Sequence, residues 1–336
     1  MCAHPPPPGT EADPVAPGPA AYGPGGTGSS HGADARRPGA EVADGAEEGE
    51  MAEGTEGSGG AEEAGVDRAA EVAARLRAAG CVFAEDEARL LLSARPSPRE
   101  LDAMVRRRAS GLPLEHVLGW AEFSGLRIDV APGVFVPRRR TEFLVRQAAA
   151  HAGFRLRETA GGLVVVDLCC GSGAIGAALL AALDGDGRHG RVTVHAADID
   201  PAAVRCARGN LAAAVGGEHR VYEGDLYAAL PDGLRGRVDL LLANAPYVPT
   251  GSLPLLPPEA RDHEPRAALD GGTDGLDVQR RAIAGAPHWL APGGRLLVET
   301  STRQAARTVE AVEGRGLSAR VAECEELDAT VVIGAL

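Results

Sequence analysis

Leu163-Val-Val-Val-Asp-Leu-Cys-Cys-Gly-Ser-Gly-Ala-Ile-Gly176 is the stretch on which the fold turns. Its first six residues form a short apolar run broken only by Asp167, the pattern of a strand buried on both faces. Glycines 171, 173 and 176 follow, leading into a helix predicted over 174–183. Glycines at such a turn let backbone approach a ligand closely, and the helix behind them offers unpaired N–H groups. Downstream, strands are expected at 192–197, 221–222, 238–243, 295–300, 317–321 and 330–333. Helices are expected over 201–215, 276–290 and 302–313. This alternation predicts an α/β fold, a parallel sheet with helices on both faces, with ligands beyond the carboxyl ends of the strands.

Upstream the texture changes three times. A helix is expected over 141–152. Residues 111–140 read as a β-hairpin connector, with β character at 123–130 and 133–136 and Pro132-Gly133 as the turn. Residues 66–110 read as a small helical domain: Val66, Ala69, Val72, Ala73, Leu76 and Ala79 recur at helical spacing, and Gly80 is placed to stop that helix. A second helix covers 85–94, and Ser97-Pro98 opens a third. Residues 1–65 hold nine Pro, 15 Gly and 12 acids against two Arg. Such a segment buries too little apolar surface to offset chain entropy and is expected to be disordered. The expected organisation is therefore tail 1–65, helical domain 66–110, connector 111–140 and catalytic-type α/β domain 141–336.

Composition excludes several function classes. The net charge is −13, of which the tail contributes −10, so the remainder is close to neutral and a poor non-specific grip for nucleic acid. Lysine is absent, which removes Schiff-base and P-loop lysine chemistry. Aromatic residues are only 3%, so the core is expected to be Ala, Val and Leu. No run of 18 apolar residues occurs and the N-terminus lacks a secretory pattern, so no membrane partner is expected. Cys2, Cys81, Cys169, Cys170, Cys206 and Cys324 form no CxxC pair, so neither zinc nor a disulfide framework is indicated, and a cytoplasmic location is the simplest reading.

Chemistry is expected at the strand ends. The glycine pattern alone would suit an NAD enzyme. Asp167, just before it, would repel a pyrophosphate but can accept from the ammonium of a bound amino acid, which favours S-adenosylmethionine over a dinucleotide. Asp198 ends the second strand, 27 residues past Gly171, where an acid can accept from two ribose hydroxyls. Asp200-Pro201 reads as the N-cap and first turn of the next helix. Asp225, after the third strand, is placed either to reach an adenine or to cap a turn.

Asn244-Ala-Pro-Tyr247 directly follows strand 238–243. An amide nitrogen is a poor nucleophile because its lone pair is delocalised. A site helps by accepting hydrogen bonds from the NH₂ group, fixing it in line with a methyl donor. Asn244 Oδ1 and the Ala245 carbonyl can be those acceptors. Pro246 holds the residue before it extended, and Tyr247 offers a flat packing face. The plain alternative is an ordinary strand-to-loop turn.

Taken together these segments resemble the HemK/PrmC family of protein-(glutamine-N5) methyltransferases, over about residues 66–336. Asn244–Tyr247 is similar to its Asn-Pro-Pro-Tyr. Phe135-Val-Pro-Arg138 with Thr141-Glu142 resembles its Ile-Pro-Arg-x-x-Thr-Glu, and Gly111 to Phe123 resembles the stretch ahead of its catalytic domain. His263-Glu-Pro-Arg-Ala-Ala-Leu-Asp-Gly-Gly-Thr-Asp-Gly-Leu276 resembles its narrow Glu-Pro-x-x-Ala-Leu-x-Gly-Gly-x-Asp-Gly-Leu block. The resemblance implies a seven-stranded, Rossmann-like S-adenosylmethionine-dependent fold and a helical N-domain that helps dock a protein. The implied substrate is the glutamine of a Gly-Gly-Gln tripeptide in a peptide-chain release factor, hence a role in translation termination.

With the residue reading, this places catalysis and substrate binding at Asn244, Ala245, Pro246 and Tyr247, with Arg138 also at the substrate. S-adenosylmethionine falls to Asp167, Gly171, Gly173, Asp198, Asp225 and Asn244. No metal is expected, and the protein is expected to be monomeric. The chain departs from the family in three places: Ala245 replaces a proline, Cys169-Cys170 stands where a glycine and a small residue are common, and the helical region is short between Leu92 and Ser97. A methyltransferase of nucleic-acid exocyclic amines, which uses the same turn, and a non-catalytic relative remain as alternatives.

Overall fold

The structure, a computed structural model, describes residues 59–158, 161–184, 191–214 and 217–336. Most of the expected tail, 1–58, lies outside the described residues. Four helices come first: α1 (Gly59–Ala78), α2 (Ala84–Ser93), α3 (Pro98–Ala109) and α4 (Leu114–Leu118). Val72, Leu76, Leu91, Leu101 and Val105 close on one small core, which Val117 of α4 joins, so this core runs past residue 110. α1 starts at Gly59, ahead of the expected 66. Gly80 stops α1 with φ +92°. At α3 the Glu100 N–H donates to the Ser97 hydroxyl (3.3 Å) and the Ser97 N–H to the Glu100 carboxylate (2.8 Å), a complete capping box.

The connector holds the hairpin β1 (Trp120–Phe123) and β2 (Leu126–Asp129), with Phe123 opposite Leu126. Its turn is Ser124-Gly125, not Pro132-Gly133. A two-residue hairpin loop of the I′ kind needs φ > 0 at both positions, and these are +52° and +73°. Pro132-Gly133 does turn the chain, Val134 N–H donating to the Ala131 carbonyl, but it leads to an extended segment with Val134 and Val136 buried rather than to a strand.

The α/β region runs α5 (Glu142–Glu158), β3 (Leu163–Leu168), α6 (Ala174–Asp184), β4 (Val192–Asp198), α7 (Pro201–Ala213), β5 (Glu218–Glu223), β6 (Val238–Ala243), α8 (Pro258–His263), α9 (Asp277–Trp289), β7 (Leu290–Thr300), α10 (Ala305–Glu313), β8 (Ser318–Cys324) and β9 (Ala329–Ala335). The sheet order is β5-β4-β3-β6-β7-β9-β8. The expected parallel sheet is parallel from β5 to β7, whereas β9 is antiparallel to both β7 and β8. Only residues 325–328 join β8 to β9, too few for the crossover a parallel pair requires.

Both faces are covered. Along β6, Leu240 and Leu242 pack towards α5, α6 and α7, while Leu241 and Ala243 pack towards α9 and α10. β3 lies between β4 and β6, so strand order reverses there and a crevice opens beyond the strand ends.

Asn210 of α7 ties the hairpin to this crevice. Its Nδ2 donates to the carbonyls of Asp129 and Ser172, both at 2.8 Å, and its Oδ1 accepts from the Asp129 N–H at 2.8 Å. Asn210→Ala removes three hydrogen bonds, one buried and two partly buried, and is expected to cost about 2–4 kcal/mol. Thermal unfolding checks this; a Tm within a degree of the wild type would contradict it.

Candidate active site

The glycine loop is shaped by three left-handed residues: Cys169 (φ +56°), Gly171 (φ +54°) and Gly173 (φ +77°). For the glycines this conformation costs nothing, whereas Cys169 holds it at a penalty of about 1–2 kcal/mol. Gly173 serves packing, since a Cβ there would lie 3.0 Å from Ala207 of α7. At Gly171 a Cβ would meet nothing within 4 Å, so its backbone is bare to the cavity. Asp167 lies behind the loop. It is fully buried, neither oxygen has a well-formed hydrogen bond, the Gly176 N–H being the donor that bears on it, and it does not line the cavity. Burial, then the charge of Asp198, pushes its carboxyl up to about 8, an effect that the Gly176 N–H only partly offsets.

Asp198 is where two loops meet. Its Oδ2 accepts from the Gly171 N–H at 2.8 Å and its Oδ1 from the Asp200 N–H at 2.9 Å. Burial raises its pKa, and these N–H groups oppose the rise. A carboxylate has about four lone-pair directions, so acceptor capacity remains for a ligand. Asp200 caps α7 through the Ala202 N–H, as expected. Asp225 lines the same cavity without capping the turn that follows it; it pairs instead with Arg281 of α9 at 2.5 Å.

Asn244 directly follows β6 beside β7, whose Val298 is the partner of Ala243. Asn244 Nδ2 donates to Thr141 Oγ1 at 3.2 Å, which leaves Oδ1 free to accept. Ala245 is buried, at 1% exposure, and Pro246 is buried beside it. The narrow glycine block grips this turn from behind. The Gly271 N–H donates to the Val248 carbonyl at 2.9 Å, and Gln304 Nε2 donates to the Tyr247 carbonyl at 2.9 Å. A Cβ on Gly271 would come within 2.6 Å of the Pro246 carbonyl oxygen, and one on Gly275 within 2.3 Å of that of Tyr247. These two positions admit no side chain, which explains the glycines in the block.

The structure brings Arg138, Gly171, Asp198, Asp225 and Asn244 to Tyr247 onto one cavity of about 910 Å³, reaching from the strand ends to α2 and α8. Arg138 does not face it freely: it pairs with the fully buried Glu264 at 2.5 Å and stacks over Phe135. Of three further contributors, Gln304 escaped the sequence reading, Thr141 was met only within the Thr141-Glu142 segment, and Glu299 only as an acid facing the crevice at the end of its strand. Thr141 is an inconspicuous threonine after three arginines. Gln304 lies 57 residues from the turn it holds. Glu299, buried at the end of β7, reaches the Tyr247 hydroxyl at 3.4 Å. Burial pushes Glu299 up to about 7, opposed by the Thr141 hydroxyl, Arg140 and Tyr247. Burial and the Glu299 charge push the Tyr247 hydroxyl up to about 12.

Eight acids and four arginines line the cavity. Such a lining suits a cationic sulfonium and disfavours a pyrophosphate or a polyanion. The acceptor at Asp198, the bare backbone at Gly171 and this charge therefore fit S-adenosylmethionine, with Gly171 and Asp198 the residues placed to hold it.

The family described as Methyltransferase small domain matches residues 128–252. The chain is 41% identical over 212 residues to a release factor glutamine methyltransferase of Geobacter sulfurreducens, covering 62% of this chain and 69% of that protein. It is 38% identical over 271 residues to one of Cereibacter sphaeroides, covering 79% and 90%. It is also 39% identical over 212 residues to a 4-amino-L-phenylalanine/4-methylamino-L-phenylalanine methyltransferase of Streptomyces pristinaespiralis, covering 63% and 68%. The cavity that fits S-adenosylmethionine ends at the Asn244–Tyr247 turn, and the likeness to the Cereibacter protein runs through nearly all of that protein. This chain belongs to the release factor glutamine methyltransferase family.

Proposed function

We propose that this protein methylates the side-chain nitrogen of a glutamine in a protein, the Gly-Gly-Gln glutamine of a peptide-chain release factor. The observation that carries the reading is the Asn244–Tyr247 turn, clamped by Gly271 and Gly275 at the end of an acid-lined cavity. Bound S-adenosylmethionine supplies an electrophilic methyl on a sulfonium, which is already a good leaving group. Asn244 Oδ1 and the Ala245 carbonyl accept the two N–H bonds of the substrate amide and aim its nitrogen at that methyl. Tyr247 packs on the planar amide. Once the nitrogen is alkylated it releases one proton, and no strong base is required. Asp198 takes the ribose hydroxyls, Asp225 lies towards the adenine, and Gly171 and Asn244 line the methionine end; Asp167, expected to accept from the ligand's ammonium, is instead buried behind the loop, and Gly173 packs on Ala207. Arg138 supports the substrate side through Glu264.

The proposed organisation is a docking domain at 66–110, a connector at 111–140 and a methyltransferase domain at 141–336. The reading places a monomer in the cytoplasm, acting in translation termination without stable nucleic-acid binding. Among the described residues, no helix is long and apolar enough to cross a membrane.

Asp198→Ala is expected to weaken S-adenosylhomocysteine binding by about a hundredfold, since charge-assisted bonds to two hydroxyls are lost. Calorimetry checks this, and unchanged affinity would remove Asp198 from the cofactor site. For the function itself, labelled S-adenosylmethionine is offered with a release factor and with its Gln→Ala variant; label on the first alone is expected. An aryl amine presents the same NH₂ group, so 4-amino-L-phenylalanine is offered in parallel. Label on that compound alone would overturn the protein-substrate reading.

A further inference from the structure

Four arginines line the cavity, and three of them are already committed to acids. Arg108, itself buried, binds Glu87 at 2.7 Å and Glu259 at 3.2 Å. Arg138 is held by Glu264 and Arg281 by Asp225, each at 2.5 Å. Arg140 is the exception. It is exposed on the cavity wall, and among the described residues its side chain makes no ion pair and no hydrogen bond.

The backbone under Arg140 is fixed while its side chain is not. Arg139–Thr141 is a single 3₁₀ turn. On one side Arg138 is anchored by Glu264, and the Thr141 N–H donates to the Arg138 carbonyl at 2.9 Å. On the other, Thr141 Oγ1 accepts from Asn244 Nδ2 at 3.2 Å, so the neighbour of Arg140 touches the residue proposed to receive the substrate amide. Arg139 is exposed as well, yet it does not line the cavity. A guanidinium fixed beside the Asn244–Tyr247 turn, with its N–H fork unused, is placed for acceptors that a ligand brings. A free anion is a poor candidate, since eight acids line the same cavity. The proposed tripeptide is uncharged, and its glycines carry no Cβ, so the main-chain carbonyls beside the glutamine lie open to a planar fork.

We infer that Arg140, and not Arg138, is the guanidinium that touches substrate, donating to main-chain carbonyl oxygens next to the glutamine to be methylated. This rests on the glutamine reading above and deepens it. Those carbonyls are the same before and after methyl transfer, so the contact acts on substrate binding and not on the chemical step.

The test uses Arg140→Ala, Arg140→Lys and Arg139→Ala in the full chain, with a release factor and S-adenosylmethionine. Loss of charge-assisted bonds in Arg140→Ala should raise KM for the release factor by about ten- to a hundredfold, with kcat and S-adenosylhomocysteine affinity within about threefold of the wild type. Arg140→Lys keeps the charge but not the fork and should recover only part of that loss. Arg139→Ala removes the same charge from the same turn and should leave KM unchanged. A fall confined to kcat, an unchanged KM, or an equal rise of KM in Arg139→Ala would overturn the inference. A second readout needs no turnover. With S-adenosylhomocysteine bound, the uncharged peptide acetyl-Gly-Gly-Gln-N-methylamide should shift the Arg140 Nε–H resonance, assigned through Arg140→Lys, and leave that of Arg139 in place. No shift, or a shift with 4-amino-L-phenylalanine alone, would overturn the inference. A wild type that leaves the release factor unmethylated would sink the functional reading, and the resonance would still decide the role of Arg140.

Discussion

Asn244→Ala is expected to lower kcat by about 10²–10³-fold, the range seen when one preorganised hydrogen-bonding group is removed from a reacting centre. The side chain is half-buried, held through Nδ2 by Thr141, and bonded to no other described residue. Its removal leaves the strands, the glycine loop and Asp198 in place. Binding of S-adenosylhomocysteine should therefore change little and the Tm should fall by only a few degrees. The contrast between lost turnover and kept binding marks Asn244 as acting on the substrate. Equal loss of both would make it a structural residue. A non-catalytic relative would have no turnover to lose.

Gly275→Ala should have the largest effect on stability. Gly275 has φ +80°, and a Cβ there would lie 2.3 Å from the Tyr247 carbonyl oxygen and 2.4 Å from Gln304 Nε2. Strain in the left-handed region adds about 1–2 kcal/mol and overpacking about 1–3 kcal/mol. The clash falls on the backbone of the Asn244–Tyr247 turn proposed to hold the substrate amide, so activity should drop together with stability. Gly236→Ala is the control: φ is +67° there, yet its Cβ would meet nothing within 4 Å. That variant should pay the backbone strain alone and keep its kcat. If Gly275→Ala were no worse than Gly236→Ala in Tm and kcat, the glycine block would not be the clamp described here.

Much of this architecture was legible in the chain because buried strands are written as continuous apolar runs. Val238 to Ala243 could hardly be anything else, and the acid ending β4 falls where an α/β sheet binds ligands. Local chemistry was legible too: the Ser97 and Asp200 caps depend on residues two or three positions away. Contacts between distant residues were not. Arg138 carries the charge of a substrate contact, but its partner Glu264 lies 126 residues on. Thr141 meets Asn244 across 103 residues of sequence, and Glu299 meets Tyr247 across 52. The hairpin was misplaced because Pro-Gly is a strong turn signal, whereas Ser124-Gly125 needs both residues left-handed. The direction of β9 could have been read from the short link before it.

The replacement of proline by Ala245 fits the same frame. The residue keeps its carbonyl and is fully buried, and the glycine block fixes the backbone on its C-terminal side. Rigidity that a second proline would supply is replaced by contacts from Gly271, Gly275 and Gln304.

The most direct measurement is mass-spectrometric localisation of the methyl group after the full chain has acted on a release factor with S-adenosylmethionine. The account predicts one added methyl, on the side-chain nitrogen of the Gly-Gly-Gln glutamine, and none when Asn244 is alanine. An unmodified glutamine, with the methyl on another residue or on 4-amino-L-phenylalanine instead, would contradict it.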